Sequence, residues 1–553
     1  MARAAPMSDL VRQLQAHLAT SDRVSGLSVA ALEKPGRRDA AVVGRLTSEA
    51  ASLVHAAPAV QEVQRTQERL LVRFSDDAIA AHGARLEAGE GRSLDCTDLL
   101  DGARWVVDFC DPNATKALHV GHLRNLAIGN ALASMLEAGG ASVVRQSQVA
   151  DAGHQIGDAM AGYLWHVDDD GPEATGEKSD HFVGRCYAAV AADQQPASGT
   201  SHAADLPVAA EMRTEPDAAS RLMRGWVARD EEIVELWRTL RDWVTTGHRA
   251  TLSRLGIRVD RELFESASFA RIPALVDRAV QAGVLARTAD GRVTYATDDE
   301  DYPVFPLARA DGFPNQNLRA LITYHDMMLE LRDATMIQVC GTEWRAHHLY
   351  VERILRQLCP SVPVQPARCV FLEMVEEGGE AVSSSTGEAL LIDELLDRLT
   401  AEAPLRELAR AEDTTCDTDR LAVLAALGFC LGTRMSRRMT ITSKAVLDER
   451  SPGLLFVRAW TKAWDPALDG PPDPHPGDPA YRFAVAQSQF YHDQIARSLA
   501  SLDYLPLVQF LLRMSRWYVS ATTGAHTSRV MRALLRRGFR DLGLVRPEAA
   551  TGL

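Results

Sequence analysis

The sequence predicts an α/β protein, a parallel sheet wound by helices, followed by an all-helical region. Three strand-to-helix repeats predict the first part: RWVVDF at 104–109 before LRNLAIGNALASMLEAGG, ASVVRQSQV before a second helix, and MIQVCG, ending at Gly341, before HHLYVERILRQL. Each short apolar run passes through a turn into a segment whose leucines and alanines recur at three- and four-residue steps, as in parallel strands joined by helical crossovers. The second part rests on AVLAALGFCLGTRMSRR, AYRFAVAQSQFYHDQIARSL, LPLVQFLLRMSRWYVSA and SRVMRALLRRGFRDLGL, which keep helical periodicity from about Ala401 onward.

In chain order, residues 1–100 mix helical stretches with one clear strand, RLLVRFSDD, and the helix-like AIAAHGARLEAGEG. They read as a small α/β N-terminal domain. Residues 101–400 carry the strand–helix repeats and an inserted segment at about 160–300. Inside it, 168–214 is rich in Pro, Gly, Ser and Asp and predicts a mobile loop. A helical pattern returns at Glu231, and DGRVTYATDDE reads as a hairpin. Residues 401–553 form the helical region, with DGPPDPHPGDP as a loop between two helices. No internal repeat is present.

The chemistry concentrates where the first strand meets its helix, in DFCDPNATKALHVGHLRNLAIG. A strand, loop and helix in this order point free N–H groups and the positive end of a helix dipole past the strand's C-terminal end, where phosphate is the usual occupant. His119 and His122, three apart at the helix start, can both donate to phosphate oxygens. Gly121 permits close approach. The same pair also fits two helix-surface histidines. A metal site is not expected, because no third ligand of suitable spacing stands nearby.

With 553 residues, 46% hydrophobic and 24% charged, the chain is long enough for two to four domains. Its net charge of −14 argues against a uniformly basic nucleic-acid binder and leaves room for a local basic patch. The eight cysteines are scattered without a CxxC, which predicts reduced thiols and a cytoplasmic protein. There is no apolar run of membrane-spanning length and no apolar signal core, so no membrane association is expected.

The longer string PNATKALHVGHLRN resembles the signature of arginyl-tRNA synthetases, class I enzymes whose HIGH motif follows Pro-Asn-x-x-Lys and precedes Leu-Arg. Asp151, Gly153, Gln155 and Gly157 fit the family's Gly-Asp-Trp-Gly-x-Gln-x-Gly loop, and LGIRVDRELFES resembles its Leu-Gly-x-x-x-Asp segment before Glu-Ser. The resemblance implies a Rossmann-type (HUP) catalytic domain with an insertion, an additional N-terminal domain, an anticodon-binding-like helical bundle and a monomer. It implies ATP and Mg2+, with Lys116, His119 and His122 as catalytic residues. Further ATP contacts would come from Gly121, Gly341, Glu343 and His347, and from Ser383, Ser384, Ser385 and Gly387 where the family has its KMSKS loop. For the amino acid it implies Asp108 and Asn113 at the α-amino and carboxylate ends, Asp326 on a guanidinium, and Asp151, Gln155, Tyr324 and Trp344 around them. Arg529, Arg532, Arg536, Arg537 and Arg540 would contact the tRNA backbone, the alternative being a solvated helix face.

Several positions depart from the family pattern. The 381–387 segment has no Lys or Arg, Ala152 stands for Trp, Trp344 for Gln, Ile322 for Tyr, and Arg65-Thr66-Gln67-Glu68 for a glycine-rich turn. The expectation is therefore a diverged ligase. It would activate arginine or another amino acid as the adenylate and pass it to the amine of a small molecule in specialised-metabolite biosynthesis, without tRNA. The alternatives are arginine–tRNA ligation at the tRNA 3′ end, and an inactive synthetase-like RNA-binding or regulatory protein.

Overall fold

The computed structural model describes residues 10–19, 27–32, 38–44, 46–87, 94–165, 170–191, 217–300, 302–331, 333–360, 367–377, 380–381, 389–411, 417–464, 476–521 and 525–545. Four strands open the chain: β1 (Ser28–Ala31), β2 (Ala40–Val43), β3 (Val60–Arg65) and β4 (Arg69–Phe74). They pair antiparallel in the order β1-β2-β4-β3. Leu70, Val72 and Phe74 alternate inward along β4, so the RLLVRF pattern buries one face only.

The central sheet contains β5 (Arg104–Cys110), β6 (Ser142–Val149) and β7 (Arg261–Phe264), and the chain then makes a small antiparallel sheet of β8 (Ala286–Arg287), β9 (Val293–Ala296) and β10 (Val304–Ala308). β11 (Thr335–Gly341) and β12 (Arg368–Leu372) complete a five-stranded parallel sheet ordered β12-β11-β5-β6-β7. From β5 the chain first builds outward through β6 and β7, then returns to the other side for β11 and β12. The strand order thus reverses between β5 and β11, and a ligand crevice is expected beyond their carboxyl ends. Helix Val120–Ala138 makes the β5-to-β6 crossover and is buried over almost its whole length. Its Gly129 lies on Phe109 of β5 so closely that a Cβ there would come within 2.1 Å of that side chain.

Part of the expected 168–214 loop is helical. Pro172–Thr175 and Ser179–Ala191 are helices, because HFVGRCYAAVA carries an apolar stripe: Phe182, Val183 and Cys186 are buried against the helix His154–Trp165 and its neighbours. Residues 166–169 and 192–214 lie outside the described residues.

The C-terminal helices include Thr418–Gly432, Pro452–Trp464, Pro479–Ser488, Leu505–Ser520 and Ala525–Asp541. The expected helix through GTRMSRR stops at Gly432 instead. The guanidinium of Arg124 takes the carbonyls of Arg434 (2.8 Å), Arg437 (2.8 Å) and Glu373, which keeps them out of a helical ladder. Met439–Thr440 then pairs as a short strand beside Val375–Glu377. A second buried arginine joins the two ends of the chain: Arg482 donates to both oxygens of Asp39 (3.0 and 2.6 Å) and to the carbonyl of Phe74 (2.6 Å).

The arginine cluster near the C-terminus is largely turned inward, a correction to its expected role. Nε of Arg532 and of Arg536 donate to the carbonyl of Ala463 (2.7 and 2.9 Å), Arg536 stacks on Trp464, and Arg537 pairs with Asp541 (2.7 Å). Among the described residues, no helix is long and apolar enough to cross a membrane.

Candidate active site

His119 stands at the N-cap of helix Val120–Ala138 in extended conformation, as the strand–loop–helix reading requires. Its Nδ1 accepts from the N–H of Gly121 (3.1 Å), and Nδ1 of His122 accepts from the N–H of His119 (3.2 Å). Both Nδ1 atoms therefore lack a proton, and each Nε2 carries one. Burial, reinforced by Lys116, pushes His119 down to about 4, and burial holds His122 well below the ordinary histidine value. The rings, 4.0 Å apart, are thus neutral donors at pH 7. The N–H of Val120 donates to Leu390 (3.0 Å) and that of Ile392 to Leu118 (3.0 Å), tying this corner to the chain just after the serine-rich segment.

The corner opens into a cavity of about 660 Å3 at the carboxyl ends of β5 and β11, where the strand order reverses. His119, Gly121, His122, Asn113, Gln155, Tyr324, Gly341, Glu343, Trp344 and His347 all line it, as expected. His347 donates from Nδ1 to Asn317 (2.7 Å), Trp344 packs edge-on against His347, and Gln338 of β11 donates to the hydroxyl of Tyr324. Ala152 and Gly153 form part of the wall where the family pattern has Trp and Gly.

Other expected residues do not reach this cavity. Asp108 is fully buried within β5, where Gln146 donates to it (3.0 Å); burial and the neighbouring Asp111 hold its pKa well above the carboxylate range. Asp111, past the end of β5, is an acid on the cavity wall. Asp151 is also buried, accepting the N–H (2.9 Å) and hydroxyl (2.6 Å) of Ser266, and so fixes the turn that carries Glu265. Asp326 lies outside the cavity lining, paired with Arg271 and Ser268 (2.8 Å). It is two residues past Tyr324 on helix Gln316–Glu330, about 200° around the axis, so the two cannot share a face. The ammonium of Lys116 lies 5.6 Å from the ring of Tyr187, on the helix Ser179–Ala191, and burial lowers its pKa to about 8. Ser383, Ser384, Ser385 and Gly387 lie outside the described residues.

The residues that sequence reasoning missed are Asp111, Glu265, Arg319 and Gln338, all on the cavity wall. Glu265 accepts from Nε of Arg319 at 2.7 Å. One signal was available: Gln316, Arg319, Ala320 and Tyr324 form one stripe at helical spacing, all facing the cavity. Arg124 also lines the cavity, its guanidinium held by the carbonyls of Glu373, Arg434 and Arg437, and so pins these segments together. Among the described residues no group of three or more His, Cys, Asp or Glu is placed to hold a metal ion.

A parallel sheet reversing at a histidine-lined helix N-terminus defines a class I aminoacyl-tRNA synthetase fold. Two solved structures share it over nearly their whole length: Thermus thermophilus arginyl-tRNA synthetase (TM-score 0.65, 17% identity, 98% of this chain and 99% of that one) and the Plasmodium falciparum enzyme (TM-score 0.66, 13% identity, 99% and 100%). The family model for tRNA synthetases class I (R), catalytic domain, matches residues 97–428, and the chain belongs to that family. Among curated relatives, the arginine–tRNA ligase of Amoebophilus asiaticus is 28% identical over 354 residues, 62% of this chain and 59% of the relative. That of Treponema pallidum is 29% identical over 372 residues, 66% of this chain and 60% of the relative. The matched region thus spans about 60% of these relatives' length.

Proposed function

We propose that this chain is an ATP-dependent, AMP-forming ligase that activates an amino-acid carboxylate as its adenylate and then transfers the aminoacyl group. The observation that carries the reading is the pair of neutral imidazoles, His119 and His122, at a helix N-terminus on a cavity that also holds Asp111. One carboxylate oxygen attacks the α-phosphorus, a new P–O bond forms, and the bond to the β-phosphate breaks so that pyrophosphate leaves with its electron pair. His119 and His122 donate to phosphate oxygens whose charge builds in that step, while Asp111 and Asn113 hold the amino-acid end. Mg2+ neutralises charge on the triphosphate when bound.

The acceptor supported by the relatives is the 3′-terminal ribose hydroxyl of a tRNA. It attacks the acyl carbon, and AMP leaves. A second reading, capture by a small-molecule amine, is favoured by one observation: three of the five C-terminal arginines are committed to contacts inside the protein. AMP release over twenty amino acids, with total tRNA, with a panel of small amines and with neither, separates the two. Dependence on tRNA supports the first, release with an amine alone supports the second, and no nucleotide binding at all supports the inactive synthetase-like alternative.

A further inference from the structure

We infer that Arg319 makes the amino-acid side of this cavity selective for a substrate with a side-chain carboxylate, in place of arginine. The inference rests on the adenylate-forming reading above and names its substrate class.

Four acids line the cavity: Asp111, Glu265, Glu343 and Glu373. A guanidinium substrate needs one for its α-ammonium and a second for its side chain. Glu265, buried and near enough to Asp111 for the two charges to act on each other, is the natural second acid. It is already taken, because Nε of Arg319 donates to it at 2.7 Å. The chain thus supplies its own guanidinium on the wall of the cavity. Glu373 gives its carbonyl to the buried Arg124 and its carboxylate is near enough to act on that guanidinium's charge, and Glu343 is exposed at the turn where β11 ends. Asp326, the acid expected to meet a guanidinium, faces away.

The fork of Arg319 is only partly used. Nη1 donates to the carbonyl of Pro314 (3.0 Å), and Nη2 has no hydrogen-bond partner among the described residues. The backbone makes room for that edge: Gly153, at φ +140°, lies where a Cβ would come within 3.0 Å of Nη2. Two more guanidinium groups line the same cavity: Arg124, held by backbone carbonyls, and Arg309, 3.9 Å from Asp311. A substrate with its α-ammonium on Asp111 and a carboxylate on Nη2 would match the wall in charge at both ends. Arginine would bring a further guanidinium to a wall that already carries three, with its acid already occupied.

Pyrophosphate exchange is measured for all twenty amino acids, with and without total tRNA, on the full chain. Aspartate or glutamate is expected to exceed arginine by about 100-fold or more in kcat/KM, the scale on which a misplaced charge is rejected. Arginine, or any amino acid without a side-chain acid, as the best substrate overturns the inference while leaving the adenylate reading in place. Exchange with no amino acid under any condition overturns both. Because Arg319→Ala alone strands a buried acid, the second arm is the double variant Arg319→Leu, Glu265→Gln. It is expected to lose the preference for acidic substrates through a raised KM, with ATP affinity unchanged. A preference that survives in a folded, ATP-binding double variant overturns the assignment to Arg319.

Discussion

The side of the cavity proposed for the nucleotide comes from one continuous stretch, His119 to Asn125, whereas the side proposed for the amino acid is assembled from Asp111, Asn113, Gly153, Glu265, Arg319, Tyr324 and Gln338. On the first side each contact is set by neighbours in sequence: a cap, a helix start, two imidazoles three residues apart. On the second side five elements converge, and the orientation of one helix decides which side chains point inward. The difference teaches that activation chemistry and substrate choice can be changed separately. On the proposed reading, phosphate recognition rests on the local turn, while the amino-acid pocket rests on residues that only the packed chain brings together.

The largest expected effect breaks the nucleotide side. His119→Ala or His122→Ala should lower pyrophosphate exchange by about 100- to 1000-fold for every amino acid, the cost of removing a preorganised donor. Circular dichroism should stay unchanged. If either variant keeps wild-type exchange, the nucleotide binds elsewhere.

Next comes the pin beneath both sides. Arg124→Ala strands the carbonyls of residues 373, 434 and 437, and should cost about 3 kcal/mol of stability. A thermal melt should show a drop of several degrees, and exchange should fall alike for all amino acids. A fall for one amino acid alone would place Arg124 on the substrate side.

The amino-acid side has its own pH signature. Asp111 is open to the cavity, but the protein packed around its carboxyl raises it to about 7, and a hydrogen bond from Asp108 works against this. The α-ammonium needs the ionised carboxylate, so kcat/KM for the amino acid should rise with pH through about 7. Asp111→Asn should flatten that rise and raise KM about 10- to 100-fold, the loss of one charge-assisted hydrogen bond. For stability the sign is opposite. The folded state holds the proton from about 4 to about 7 and the unfolded chain does not, so this group's contribution falls as pH rises through that window. A pH profile unchanged in Asp111→Asn would assign the limb to another group.

The smallest effect is expected at Asp326→Asn. Its carboxylate pairs with Arg271 outside the cavity, so the amino-acid KM should change less than about twofold and stability by no more than about 1 kcal/mol. A large rise in KM would return Asp326 to the pocket and erase the contrast between the two sides.

Much of this molecule was legible in the sequence. RWVVDF, ASVVRQSQV and MIQVCG gave strands within a residue or two, and the histidine pair landed at a helix cap, because backbone pattern and capping are short-range properties. Asp108 lies inside β5 and it is Asp111 that lines the cavity, because an acid inside a strand and one past its end look alike until the strand's end is known. Asp326 was misplaced because its helical phase relative to Tyr324 matters more than its distance along the chain. The ends of Arg124 and Arg482, and the inward turn of Arg532 and Arg536, depend on partners hundreds or tens of residues away. Sequence alone thus determined the family, the order of elements and the histidine-capped corner, all local in origin. Only the tertiary structure decided which charges meet in the pocket, because a charge's partner is whatever the packed chain brings within hydrogen-bond reach.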